Sequence, residues 1–318
     1  MNAGRAAIEK ALKLLEVDGA VQRAKHGWSR TATRWQPDAA RFEQVTRLRR
    51  AELAEMKRYV EHNGCLMEFL ARALDDPAAA PCGKCMNCVR NTARKPLPAS
   101  LVAEAVGFLR GHSLVLEPRH RWPKPALNEV RAALPSAVAL ADNGVPKTVI
   151  PEMFVPRPGR ALCVYGDAGW GPEVARGKYN TGHFSDALVE AAARLVRESW
   201  KPEPSPEWIC AVPSLHRPEL VWTFAERLAA KLGLPLLPVL RKTRDTPPQK
   251  EMQNSVQQVR NLLGAFSVAG KPPPGPVLLV DDVTDSRWTL TVLAVMLRQH
   301  GSGPVHPFAL AKASPRGS

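Results

Sequence analysis

The sequence predicts a mixed fold in two parts: a small helical module organised by cysteines, then an α/β domain on a largely parallel sheet. Two observations carry this expectation. Cys65, Cys82, Cys85 and Cys88 are spaced C-x16-C-x2-C-x2-C in the first third of the chain. From Arg160 onward, short apolar runs alternate with helical patterns, as in a parallel sheet covered on both faces. The chain has 318 residues, enough for two or three domains and a sizeable core in at least one.

The last three cysteines lie so close together that their thiolates can converge on one point, and Cys65 arrives from an upstream amphipathic helix. Four thiolates around one ion, at about 2.3 Å each, make the closed tetrahedral site of structural zinc, with no open position for chemistry. A disulfide pair is the alternative, but it needs an oxidising compartment, and nothing in the sequence points to one. Cys163 and Cys210 sit in the apolar runs ALCVY and WICAV, where a buried, inert thiol is expected. A reducing cytoplasm suits all six cysteines.

The formal net charge is +14. A charge of that sign favours a polyanionic partner, nucleic acid first and an anionic membrane surface second. No apolar run approaches the roughly 18–20 residues of a spanning helix. The opening stretch is amphipathic, with acids interspersed, and is no signal peptide.

In order along the chain, Ile8, Leu12 and Leu15 predict a helix that Asp18-Gly19 ends. AVQRAKHGWSRTATRW follows, with Gly27 placed for a turn between two short strands. Helix then hairpin resembles the second half of a winged helix. Residues 1–40 are thus expected to form a partial winged-helix element, and the chain to be a piece of a longer protein. Arg23, Lys25, His26, Arg30 and Arg34, interleaved with Trp28 and Trp35, suit phosphate contact and base stacking; a solvated hairpin is the plain alternative.

Residues 41–95 form the expected zinc module. Phe42, Val45, Leu48, Leu53, Met56 and Val60 repeat at helical spacing, and the polar face carries Arg41, Arg47, Arg49, Arg50, Lys57 and Arg58. Arg47 and Arg50 join the hairpin residues as nucleic-acid candidates. After Cys88 come Arg90, Arg94 and Lys95, then the proline-rich break KPLPAS. Residues 96–159 are read as a connector, with helices at LVAEAVGFLRG and at about Leu127–Leu134. Its cluster Arg119, His120, Arg121, Trp122 is either structural or a further nucleic-acid contact.

The stretch TRLRRAELAEMKRYVEHNGCLMEFLARALDDPAAAPCGKCMNC resembles the zinc-binding subdomain of RecQ-family DNA helicases over about fifty residues, with the same cysteine spacing and an arginine-bearing helix. In that family the module follows two motor domains and helps join them to a DNA-binding winged helix. No GxxxxGK[ST] loop occurs in this chain, so ATP hydrolysis by it alone is not expected.

Residues 160–318 form the expected α/β domain. Strands are read at ALCVY, WICAV, LPLLPVL, AFSVA, PVLLVDD and HPFALA, and helices at 184–199, 219–232 and 289–300. In VLLVDDVTDSRWTLT an apolar run ends in Asp281-Asp282, and a hydroxyl-bearing loop opens the next helix. An acidic pair there can bond ribose hydroxyls, and a helix N-terminus can hold phosphate. This segment resembles the phosphoribosyl-pyrophosphate motif of type I phosphoribosyltransferases, in their ComF-like branch. VPSLHRPELVWTFAERLAAKLGLP matches the place of the pyrophosphate loop, and RKTRDTPPQKEMQNSVQQVRNLLGAF that of the mobile hood.

The resemblance implies that Asp281 and Asp282 hold ribose hydroxyls, that Ser286, Arg287 and Thr289 hold the 5′-phosphate, and that His216 and Arg217 face the pyrophosphate, with Mg²⁺ as companion ion. Gln249 and Arg260 are weaker hood candidates. The loop departs from the family's pattern: Asp285 puts a like charge beside a phosphate, and Arg287 stands where a small residue is usual. Together the two resemblances imply the DNA-binding C-terminal region of an ATP-dependent bacterial RecQ-like 3′–5′ DNA helicase. Its motor domains would lie N-terminal, and its transferase-fold domain would be used for binding. The alternative is an active phosphoribosyltransferase using phosphoribosyl pyrophosphate and Mg²⁺.

Overall fold

The computed structural model describes residues 3–24, 27–89, 97–142 and 144–314. Lys25 and His26 of the hairpin, and Arg90, Arg94 and Lys95 beyond the cysteines, lie outside the described residues. The chain forms two units: Ala6–Ala99, and Ser100–Ser318 together with the first five residues.

In the first unit, helix α1 (Arg5–Val17) ends where Gly19 takes a left-handed φ of +70° and the Ala20 amide donates back to the Leu15 carbonyl at 2.8 Å. Strands β1 (Val21–Ala24) and β2 (Gly27–Arg30) pair antiparallel, with Arg23 opposite Trp28. Asp38 caps α2 (Ala39–Glu61), its carboxylate accepting from the Arg41 amide at 3.0 Å. Helix α3 (Leu66–Ala73) follows Cys65. The apolar repeat that marks α2 is left uncovered: Phe42, Val45, Leu48, Leu53, Met56 and Val60 are all exposed. Among the unit's described residues only Ala20 and Cys65 are buried.

The second unit opens with α4 (Ala99–Gly111), β3 (Leu114–Leu116) and α5 (Leu127–Ala133). Strand β4 (Gly159–Val164) leads to α6 (Gly171–Ala175), which runs into a π-turn at Arg176–Thr181. Helix α7 (Asp186–Arg194) ends in a second π-turn, Leu195–Trp200, before β5 (Trp208–Ala211) and α8 (Pro218–Leu232). Then come β6 (Leu240–Lys242), α9 (Ser255–Leu262), β7 (Phe266–Val268), β8 (Val277–Thr284), α10 (Trp288–Gln299) and β9 (Val305–Lys312). The main sheet has the order β3-β4-β9-β8-β5, parallel throughout except for the antiparallel edge pair β3–β4. No helix among the described residues is long and apolar enough to cross a membrane.

The apolar strand runs bury both faces of this sheet. Along β8, Val277 and Leu279 join one core with Trp208, Trp288 and Leu293, while Leu278 and Val280 join the other with Phe184, Phe224 and Phe308. Two of the strands expected from sequence do not enter it. LPLLPVL contributes a single bridge, Leu236 to Ile209, and then β6; Pro235 and Pro238 lack the amide hydrogens a ladder needs. AFSVA forms β7, which pairs with β6 in a separate two-stranded ribbon.

Much of the segment read as a connector packs with the sheet. β3 adds to its edge, and Trp122, 2% exposed, stacks on Trp288 at 5.7 Å while its indole N–H donates to the Ala137 carbonyl. A buried, hydrogen-bonded indole cannot stack on a base, so of the two readings of this cluster Trp122 takes the structural one.

Candidate functional site

The first constellation is the thiol cluster. The Sγ atoms of Cys65, Cys82, Cys85 and Cys88 all lie within 4.8 Å of one another, with Cys65 to Cys85 at 3.9 Å. A tetrahedron with metal–sulfur bonds of about 2.3 Å has edges of about 3.8 Å, so the spacing fits one zinc ion. All six cysteines of the chain are free thiols.

Backbone amides are aimed at the sulfurs. Glu68 and Cys82 donate to Cys65 at 3.3 and 3.2 Å, Cys85 to Cys82 at 3.2 Å, and Cys88 to Cys85 at 3.4 Å. Such donors orient ligands and favour thiolate over thiol. The Cys88 amide foremost, with those of Leu66 and Asn87, brings the Cys85 thiol down to about 6. Cys65 is likewise lowered, by the amides of Cys82 and Glu68. Cys88 rises to about 12, through its hydrogen bonds with Cys85 and Cys65 and then through burial. The Asn87 side-chain amide ties the loop down, donating to the carbonyls of His62 and Gly64 at 2.6 and 2.8 Å.

In the same unit Arg23, Arg30, Arg34, Arg47 and Arg50 are exposed. Arg23 lies over the ring of its cross-strand partner Trp28, 5.4 Å from the centroid, which leaves that indole half-buried. Lys25, the remaining candidate of this set, lies outside the described residues.

The second constellation is a cleft of about 610 Å³ at the carboxyl ends of the parallel strands in the second unit. It brings together Asp281, Asp282, Ser286, Arg287, Thr289, His216, Arg217 and Gln249. Arg260 is elsewhere, its guanidinium bound to Glu129 at 2.6 Å and to the Pro125 carbonyl at 3.0 Å. Lys178, Tyr165, Tyr179, Ser214 and Lys242 also line the cleft and were missed from sequence. Their signal was positional: Tyr165 directly follows β4, Ser214 comes three residues after the end of β5, and Lys178-Tyr179 sits between two glycines beyond the first strand–helix turn.

The acidic pair ends the apolar run of β8. Burial foremost, then the charge of Asp282, pushes the Asp281 carboxyl up to about 7, with Lys178 and the Asp282 amide pulling the other way. Asp282 is ion-paired to Lys178, Oδ2 to Nζ, at 2.8 Å. Across the cleft, Arg217 lies 5.6 Å from the centroid of the Tyr179 ring, and His216 Nε2 meets the exposed carboxylate of Asp245 at 3.0 Å.

The loop into α10 is built by its neighbours. Arg287 occupies a left-handed conformation at φ +67° and stands at the helix N-cap; it is where the amides of α10 first point outward. Its Nε is buried and, among the described residues, has no hydrogen-bond partner. Arg119 braces the turn from outside the cleft lining, donating through Nε to the Ser286 carbonyl at 3.0 Å and lying over the Trp288 ring. Burial, then the neighbouring charge of Arg287, lowers the Arg119 pKa. Two guanidiniums at one helix N-terminus make an electropositive pocket suited to an anion.

Residues 29–89 match the family model described as RecQ zinc-binding. A search of curated proteins found no match. Among solved structures, the chain is similar to purine phosphoribosyltransferase from Pyrococcus horikoshii Ot3, at 20% identity over 41% of this chain and 76% of that one, TM-score 0.27. It is similar to orotate phosphoribosyltransferase from Aeropyrum pernix at 18% identity, 59% and 81% coverage, TM-score 0.24. For adenine phosphoribosyltransferase from Leishmania tarentolae the figures are 14%, 40% and 69%, with TM-score 0.26.

Proposed function

We propose that this chain is a DNA-binding accessory region of a RecQ-like 3′–5′ DNA helicase. In this reading one structural zinc ion fixes a basic surface, the α/β unit holds a ribose-phosphate ligand, and the motor domains lie N-terminal to the chain. The observation that carries it is the four-thiol cluster inside the stretch that matches the RecQ zinc-binding model. Zinc bound there closes its own coordination sphere; its contribution is folding free energy and a fixed geometry for Arg30, Arg47 and Arg50. Those guanidiniums bind by neutralising phosphates and releasing counterions.

The test is fluorescence anisotropy with labelled single-stranded DNA across a salt series. Each arginine that contacts a phosphate contributes about 0.7 to the slope of log affinity against log salt, so the triple substitution Arg30→Ala, Arg47→Ala, Arg50→Ala should flatten it by about 2. Binding that ignores salt, or a slope unchanged in the triple variant, removes this surface from the account.

A second reading, an active phosphoribosyltransferase, is favoured by the cleft, where the acidic pair, Ser286, Thr289, His216 and Arg217 line one space. The groups would divide the work by charge: hydrogen bonds from the acids to ribose hydroxyls, and donors from the α10 N-terminus to the 5′-phosphate. Pyrophosphate released from phosphoribosyl pyrophosphate in the presence of purine or pyrimidine bases would support it. Tight binding without release would leave the cleft a binding site.

A further inference from the structure

A phosphoribosyl pyrophosphate site calls for a cation beside its acidic pair, where ribose hydroxyls and phosphate oxygens meet two carboxylates. The residues of this cleft do not fit a divalent ion in that place. Asp282 commits Oδ2 to Lys178 Nζ at 2.8 Å, and Oδ1 accepts from the Val283 amide at 2.6 Å. Asp281 accepts from the Asp282 amide through Oδ1 at 2.9 Å. Three of the four carboxylate oxygens therefore already have donors. Among the described residues, the cysteine cluster is the one group of three or more ligand-type side chains close enough together to hold an ion.

The lysine is built into position. The side chains of Lys178 and Asp282 are 22% and 14% exposed, so the pair is largely shielded from water and weakly screened. Lys178 stands on the π-turn Arg176–Thr181, and that turn is pressed onto the core at Gly177, where an added Cβ would lie 2.5 Å from the buried ring of Phe184. The turn closes at Gly182, at φ +67°. An ammonium group carries three donors; Asp282 takes one, and Lys178 is itself part of the cleft lining.

We propose that Lys178 is the built-in counter-cation of the acidic pair, so that the cleft binds ribose phosphates without a divalent metal ion. The proposal rests on the ribose-phosphate reading of the cleft. Lys178 neutralises the site, fixes the Asp282 carboxylate in place to accept from ribose hydroxyls, and offers its remaining donors to phosphate oxygens.

Calorimetric titration of the full chain with ribose 5-phosphate and with phosphoribosyl pyrophosphate tests it, in magnesium-free buffer verified by elemental analysis and again with Mg²⁺ added. The wild-type affinity should agree within about threefold between the two buffers, less than 1 kcal/mol. Lys178→Met should bind at least about tenfold more weakly without magnesium and recover when it is added; Lys178→Arg, which keeps the charge, should stay metal-independent. Wild-type binding that collapses in the magnesium-free buffer overturns the proposal, as does Lys178→Met that binds there unchanged. Absence of binding by folded wild-type protein in both buffers removes the ribose-phosphate reading itself, and this proposal with it.

Discussion

Arg287 holds a backbone conformation that glycine adopts freely and other residues adopt at a cost, at φ +67°. A strained residue at a helix N-terminus is a sign of a selected side chain. Arg287→Gly should therefore relieve about 1 kcal/mol of strain, raising the melting temperature of the α/β unit by about 2–4 °C, while weakening inorganic phosphate binding about tenfold. Thermal melting and phosphate titration read the two effects separately; a variant that loses stability would contradict the strain argument. Asp281 makes a different prediction. Its carboxyl is raised from 3.8 to about 7, so between those pH values the folded state binds more protons than the unfolded one. The stabilising protonation is complete below the lower value and is lost as pH rises through the upper one. The α/β unit should lose stability across that window, by an amount on the order of a few kcal/mol. Urea unfolding at a series of pH values should show that slope in the wild type and its absence in Asp281→Asn.

At the scale of elements, the cleft depends on a turn as much as on a strand. Gly177→Ala would drive a methyl into Phe184, which is buried against Phe224 and has nowhere to move. Overpacking of that kind costs about 1–3 kcal/mol. The variant should also lose wild-type ribose 5-phosphate affinity in magnesium-free buffer, since the same turn carries Lys178. Sequence made the strand side of this site legible: an apolar run that stops at two acids has few other uses, and Ser286 and Thr289 open the helix after it. The turn side was not legible, because a lysine between glycines has no chemical signature until the fold sets it against Asp282. Two strand expectations failed for a physical reason too. LPLLPVL and AFSVA have strand-like apolarity, but prolines bar the first from a central ladder, and the second pairs with β6, which begins only at the last residue of LPLLPVL, Leu240. Trp122 was ambiguous for the same kind of reason: a tryptophan among arginines suits a base or a core equally, and only stacking on Trp288 decides.

At the scale of the molecule, the two units are held together internally by different physics. The α/β unit buries both faces of its sheet under large side chains such as Trp208, Phe184 and Leu279. The first unit buries only Ala20 and Cys65 among its described residues, too little apolar surface to offset the entropy of ordering the chain. Its stability must come from the thiolates, whose ligands were legible because three of them crowd into one short loop and cysteine has few reasons to cluster so. On the proposed function, one zinc ion folds this unit and with it the surface proposed to bind DNA. The most direct test is to measure zinc in the purified chain, remove it with a chelator under reducing conditions, and follow DNA anisotropy and circular dichroism together. The account predicts one zinc per chain, loss of DNA binding and of the helical signal of the first unit on removal, and retention of the α/β unit's own cooperative melting transition. A metal-free chain that keeps both its first-unit helices and its affinity for DNA would contradict it.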